Sequence, residues 1–330
     1  SRDPVKHAIL MEKLPCKDAY KIFLKAQAEN WDQTPNLSMT QIFSIAQQGL
    51  ETLQDFYARG FLHCDLKPDN MVYDASNDRL VIFDLGTGQT TEKLIPAFTI
   101  HNTWFYQAPE LCFGYETYGL SVDMWSFGAI LFEFYTGKVL IPSNPIGCKP
   151  RQCIIADHLR VMAQNLGAFS RQMSELAHPA LKTLFVRTSN TSEVSCPCLD
   201  QEVKSTMAKL TEICMPYPDM PVWQARIRHA AKLRLADPSE ADRMIQLLEP
   251  MLCYLPESRI NPTDALELLS TLRPRQESVL QMPASVNNHP CEFSRDFARV
   301  QETKSNRLID PSVLDESQKR TRNRRVCTLL

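Results

Sequence analysis

Between Val122 and Tyr135 the chain places Met124, Trp125, Phe127, Ile130, Leu131, Phe132 and Phe134 around every side of a helix. A helix that is apolar all round has no face for water and must be wrapped by other elements. The 330 residues, 44% of them hydrophobic, are enough for the large core this requires. Asp123 breaks the pattern. A carboxylate entering so apolar a helix needs donors, either the free N–H groups of the helix N-terminus or groups from another part of the fold.

The wrapping elements carry their own signals. Ser38 and Gln41 form an S-x-x-Q capping box, with Leu37 and Ile42 as its hydrophobic staple. Ile42, Ile45, Ala46, Leu50, Leu53 and Tyr57 then mark one helical face, which Gly60 ends. Short β-type runs at Met71–Tyr73 and Leu80–Phe83 flank the turn-forming Ala-Ser-Asn-Asp78. Further helices are predicted from Ser239 to Leu252 and, capped by Thr263, to Leu272. Residues 143–237 read as helical stretches with a Ser/Thr-rich loop near Thr188–Ser195. Residues 7–14 read as a buried strand closed by Pro15, and beyond Pro274 polar residues predict a flexible tail.

Bulk chemistry excludes several classes. A net charge of −2 makes no general case for nucleic-acid binding. The eleven cysteines lack paired CxxC spacing, so they read as reduced thiols rather than zinc ligands. No apolar run reaches membrane-spanning length and no signal peptide is evident, which predicts an intracellular protein, cytoplasmic or nuclear.

The segment His63-Cys-Asp-Leu-Lys-Pro-Asp-Asn70 gathers the groups that phosphoryl transfer uses. Asp65 can take or orient a hydroxyl proton, and Lys67 can offset charge on the transferred group. Asn70 and Asp84 offer hard oxygen ligands suited to magnesium, provided the 13 residues between them return beside the loop.

This segment resembles the H-R-D-L-K-x-x-N catalytic loop of the protein kinase family. Asp84-Leu-Gly86 resembles D-F-G, and Ala108-Pro-Glu110 the A-P-E that closes the activation segment. Asp123-Met-Trp-Ser-Phe-Gly128 resembles the start of the large helix of the C-lobe. The resemblance covers about residues 7–272 and implies an α+β protein-kinase-like fold with a mainly α-helical C-lobe. It implies a domain plan of last N-lobe strand and hinge at 1–18, C-lobe at 19–272, and flexible basic tail at 273–330.

The same resemblance implies a serine/threonine protein kinase, with ATP and Mg2+ as cofactors and a protein as substrate. Asp65 would be the base, Lys67 the phosphoryl-stabilising cation, and Asn70 and Asp84 the metal ligands. Met11, Glu12 and Leu14 would line ATP at the hinge, with Val72 as the adenine floor. Thr103 would face the substrate and the catalytic pair, and Thr99 is the activation-loop candidate. His63, Glu110, Asp123 and Arg259 would be structural, Arg259 pairing with Glu110 and Asp123 bonding the backbone of the catalytic loop. The motifs Gly137-Lys-Val-Leu-Ile-Pro142 and Asp157-His-Leu resemble the CMGC group of cyclin-dependent, MAP and CDC-like kinases.

Departures from the family pattern set the remaining expectations. The glycine-rich loop, the strand lysine and the helix-C glutamate do not precede residue 7, so the chain reads as lacking the N-lobe and as inactive alone. Cys64 replaces an Arg whose role in the family is to receive an activation-loop phosphate, which a thiol cannot do. Gln107 replaces the Arg of the CMGC pattern, and Leu85 the Phe of D-F-G. The rival reading is a pseudokinase or scaffold that binds protein through its C-lobe; a regulatory partner fits either.

From Arg273 onward eleven Lys/Arg face seven Asp/Glu, so the tail carries about +4 and the body about −6. Lys319-Arg-Thr-Arg-Asn-Arg-Arg325 reads as a solvated run, as a nuclear-localisation or nucleic-acid patch, or as the basic partner of a lipid anchor. The third reading uses Cys327-Thr-Leu-Leu330, a C-a-a-X form in which Cys327 would be prenylated and the tail attached to membrane.

Overall fold

A computed structural model describes residues 37–94, 96, 104–143, 151–187, 190–194, 215–216 and 218–273. All of these belong to one compact unit, Ser1–Arg275. The second unit, Gln276–Leu330, lies outside the described residues, as does the strand expected at 7–14.

Helix α1 (Met39–Ala58) starts where its capping box places it. Ser38 Oγ accepts from Gln41 N at 3.2 Å, and Gln41 Oε1 accepts from Ser38 N at 2.9 Å. Ile42, Ile45, Ala46, Leu50 and Leu53 are buried, and Gly60, at φ +61°, turns the chain out of the helix. Strand β1 (Phe61–Leu62) then leads into loop 63–70. Strands β2 (Met71–Asp74) and β3 (Arg79–Ile82) pair antiparallel from Met71↔Ile82 to Asp74↔Arg79. The Asp74 carboxylate shapes their turn by accepting from Ser76 N and Asn77 Nδ2. Strand β4 (Gln89–Thr90) returns to pair with β1.

After the short α2 (Pro109–Cys112) comes α3 (Ser121–Thr136), the helix that is apolar all round. Every residue from Val122 to Tyr135 is buried. Helix α1, α6 (Val222–Leu233) and α7 (Pro238–Met251) wrap it, and α8 (Pro262–Leu272) covers α1. Contact between α1 and α3 is close: a Cβ on Gly49 would lie 2.1 Å from Phe127 Cζ.

The sequence misplaces both later helix starts. Asp237 and Asn261 are the caps, accepting from Ser239 N at 2.8 Å and Asp264 N at 3.0 Å. Pro238 and Pro262 follow at the first helical position, where a missing N–H costs nothing and the ring presets φ, so each helix begins before the residue the pattern suggests. Thr263 instead accepts from Gln54 Nε2 at 2.8 Å, tying α8 to α1.

The Ser/Thr-rich stretch also differs from its expected loop. Thr191–Val194 is β7, the centre of an antiparallel sheet between β5 (Phe169–Ser170) and β6 (Phe185–Arg187). Helix α4 (Arg151–Leu166) precedes this sheet, and α5 (Arg171–Leu176) follows β5. Phe113 meets Phe169 edge-on at 5.0 Å and stacks on Phe185 at 4.9 Å. Such aromatic pairs add about 0.5–1.5 kcal/mol each beyond burial, and this long-range anchor overrides the local loop signal.

Gly49→Ala should therefore cost about 1–3 kcal/mol through overpacking against Phe127. Thermal denaturation checks this, with Gly119→Ala as the near-neutral control, since a Cβ there meets nothing within 4 Å among the described residues.

Candidate active site

Loop 63–70 is held from below by one carboxylate. Asp123 Oδ2 accepts from His63 N at 2.7 Å and Oδ1 from Cys64 N at 2.9 Å. Asp123 is fully buried, which pushes its carboxyl above the ordinary carboxylate range; the two backbone N–H groups pull it back down. Its donors thus come from the loop. Cys64 sits at φ +64°, a left-handed conformation that costs a non-glycine residue about 1–2 kcal/mol. Burial, then the charges of Asp123 and Asp65, raise its thiol well above the ordinary range, so it stays protonated.

His63 orders the next turn of chain. Its Nδ1 accepts from Asp65 N at 3.3 Å and its Nε2 faces the Phe83 carbonyl at 3.0 Å, so the hydrogen-bond pattern assigns the proton to Nε2. Thr87 Oγ1 donates to the His63 carbonyl at 3.1 Å. Through its ring and its backbone carbonyl, His63 thereby joins Phe83 and Thr87, which flank Asp84 in the chain, to the loop that carries Asp65.

Asp65, Lys67 and Asn70 converge. Lys67 Nζ lies 2.7 Å from Asp65 Oδ2, and Asn70 Nδ2 donates to Asp65 O at 2.8 Å and more weakly to Oδ2 at 3.4 Å. This turns the amide oxygen of Asn70 away from Asp65. Asp84 arrives beside it because β2 and β3 pair in register and Phe83 N donates to Asn70 O at 3.0 Å. Asp84 is exposed and left-handed at φ +65°, with Oδ1 accepting from Gly86 N at 3.4 Å. An exposed carboxylate next to a neutral amide oxygen is a hard donor set of the kind magnesium takes. Val72 lies on β2 opposite Val81.

Two further buried carboxylates fix the far side of the site. Glu110 receives Arg259 through two bonds, Nη1 to Oε1 at 2.8 Å and Nη2 to Oε2 at 3.0 Å, with both side chains fully shielded. Arg259 also donates to the carbonyls of Cys253, Ser121 and Tyr254, and lies 5.2 Å over the Trp125 ring. Glu133, on the apolar helix α3, accepts from Tyr106 Oη at 2.6 Å, while Ser126 Oγ donates to the Tyr106 carbonyl at 2.7 Å. Gln107 is buried beside it, its Oε1 without a hydrogen-bond partner among the described residues.

Sequence reasoning missed Glu133 and Tyr106, although the signal was the one applied to Asp123: a carboxylate in an apolar helix requires a donor. It also missed Tyr118, whose hydroxyl donates to Gln89 Oε1 at 2.8 Å. Met11, Glu12, Leu14, Thr99, Thr103 and Cys327 lie outside the described residues.

The model of the protein kinase domain family matches residues 2–269. The serine/threonine-protein kinase prpf4B of Dictyostelium discoideum is 29% identical over 235 residues, which is 70% of this chain and 26% of that protein. The serine/threonine-protein kinase prp4 of Schizosaccharomyces pombe is 28% identical over 233 residues, 70% of this chain and 45% of that protein. The dual specificity tyrosine-phosphorylation-regulated kinase 2 of Drosophila melanogaster is 30% identical over 140 residues, 42% of this chain and 18% of that protein. The chain thus spans less than half the length of these curated relatives.

Arg259→Met should destabilise the fold by about 3–5 kcal/mol, because it leaves Glu110 charged and buried; chemical denaturation measures the loss. Glu133 gives a pH signature. Burial raises its carboxyl from 4.5 to about 7, against the opposing Tyr106 bond. A carboxyl raised in the folded state favours folding while protonated, so its contribution is full below pH 4.5 and fades as pH rises through 7. The loss is about 3 kcal/mol. Denaturation midpoints at pH 5 and pH 8 should show it, and Glu133→Gln should remove that part of the slope.

Proposed function

Because the chain belongs to the protein kinase family, we propose that it transfers the γ-phosphate of ATP to serine and threonine hydroxyls of protein substrates. The observation that carries the reading is the convergence of Asp65, Lys67 and Asn70 on one loop, with Asp84 brought alongside by the β2–β3 pair. In this reading the Asp65 carboxylate orients the substrate hydroxyl and takes its proton as the oxygen attacks. Lys67, 2.7 Å from Asp65, would offset charge that develops on the transferred group. Asn70 and Asp84 are the residues that would hold magnesium, which when bound neutralises phosphate oxygens and fixes their orientation. Val72 and the hinge residues Met11, Glu12 and Leu14 are assigned to the adenine, and Thr103 to the substrate side.

A purely binding protein has no chemical use for this combination, since each of the four groups needs ordered neighbours and offers little to a docking partner. The group reading is CMGC-like, supported by Gly137–Pro142 and Asp157-His-Leu. Arg226 stabilises the first of these stretches by donating to the carbonyls of Val139 and Leu140 and to Asn165 Oδ1 at 2.6–2.8 Å.

Phosphate transfer from labelled ATP to a generic protein substrate tests the proposal in the full-length protein. Asp65→Asn should lower kcat by about 10²–10⁴-fold and Lys67→Met by about 10²–10³-fold. Wild-type turnover by Asp65→Asn would sink the proposal.

A further inference from the structure

Position 64 presents a protonated thiol to its surroundings, and the carboxylates of Asp123 and Asp65 act on it. A phosphate arriving there would meet two negative charges and a group that offers no charge-assisted bond. The segment that starts at Asp84 is nevertheless closely tied down. Leu62↔Gln89 and Phe61↔Thr90 pair β4 to the strand that enters the catalytic loop, and Thr91 N donates to Gly60 O at 2.9 Å. Gly88 allows the close approach, since a Cβ there would lie 2.2 Å from Phe61 Cζ.

The two-residue pairing is too short to be stable unaided, as isolated strand pairs are marginal in water. Its outer support is Tyr118. This side chain is 8% exposed, and its hydroxyl donates to Gln89 Oε1 at 2.8 Å. Burial holds that hydroxyl up at about 12, so it remains a donor throughout the physiological range. Tyr118 stands in the loop that enters α3. That loop is fixed again where Tyr57 Oη donates to the Leu120 carbonyl, and α3 supplies the Asp123 that bonds His63 and Cys64. A single rigid element therefore grips both the catalytic loop and the strand that follows Asp84.

We infer that the Tyr118–Gln89 hydrogen bond is a standing latch on the segment after Asp84, making Tyr118 a positioning residue that keeps the site assembled without a phosphate. This rests on the phosphotransfer reading and assigns its control. Every partner in the latch is neutral, so its strength does not depend on a modification, and it is available as soon as the chain folds.

The test uses the full-length protein, assayed for phosphate transfer before and after treatment with a broad-specificity phosphatase. Dephosphorylation should change kcat by less than about twofold, within ordinary scatter for an unperturbed site. Tyr118→Phe removes only the hydroxyl and should lower kcat about 3- to 10-fold, the worth of one neutral hydrogen bond. KM for ATP should stay within about twofold, since a uniform binding loss is not the mechanism. Gln89→Leu should cause the same loss, and the double variant should be no worse than either single one. Additive losses, a Tyr118→Phe protein with wild-type kcat, or activity abolished by the phosphatase would each overturn the latch. If the wild-type protein transfers no phosphate, the phosphotransfer reading fails separately. Hydrogen exchange then reads the latch alone: faster exchange of the Gln89–Thr91 amides in Tyr118→Phe upholds it, and unchanged exchange overturns it.

Discussion

The backbone N–H groups of His63 and Cys64 both end on the buried carboxylate of Asp123, and the geometry of the site follows from that contact. A carboxylate taken out of water is stabilised by strong, charge-assisted donors, each worth about 1.5–3 kcal/mol. Supplying them from the catalytic loop means that α3 cannot be buried satisfactorily unless the loop is in place. The same two bonds hold Cys64 in its left-handed conformation, which reverses the chain and presents Asp65 on the open side. Burial of an apolar helix is in this way coupled to the placement of a polar, solvent-facing loop.

Around that contact the fold repeats one device. Glu110 with Arg259, and Glu133 with Tyr106, are also carboxylates sealed in the core and answered by a single long-range partner. Each joins a segment of irregular chain to a helix that is packed on all sides. Irregular backbone leaves donors and acceptors that helices and sheets would satisfy internally, so it needs such anchors to stay in one conformation. A buried cation does the same for a stretch farther from the site, where Arg226 donates to the carbonyls of Val139 and Leu140.

The consequence for chemistry is a site held by buried groups on its protein side and open to solvent on the other. His63, Asn70 and Asp123 are buried, whereas Asp84 is exposed and the Lys67–Asp65 pair retains partial exposure. Groups that position are sealed off, and groups that react face outward. The proposed phosphoryl transfer would benefit from this division, because catalysis of such a step is mainly orientation and charge compensation.

Much of this was legible in the residues. The capping box at Ser38, the apolar character of Val122–Tyr135, the strand–turn–strand after Asn70 and the grouping of Asp65, Lys67 and Asn70 are all local patterns with local causes. Sequence alone determined that these local elements form and that a carboxylate at position 123 must find donors. Tertiary structure decided where those donors come from. It also decided that Thr191–Val194 is a strand, through Phe113 meeting Phe169 and Phe185, and that Tyr118 reaches Gln89. These depend on which segments meet in space, and a contact between residues dozens of positions apart leaves no period in the sequence. Local order is encoded by neighbours along the chain, whereas the partners of buried polar groups are chosen only when the chain packs.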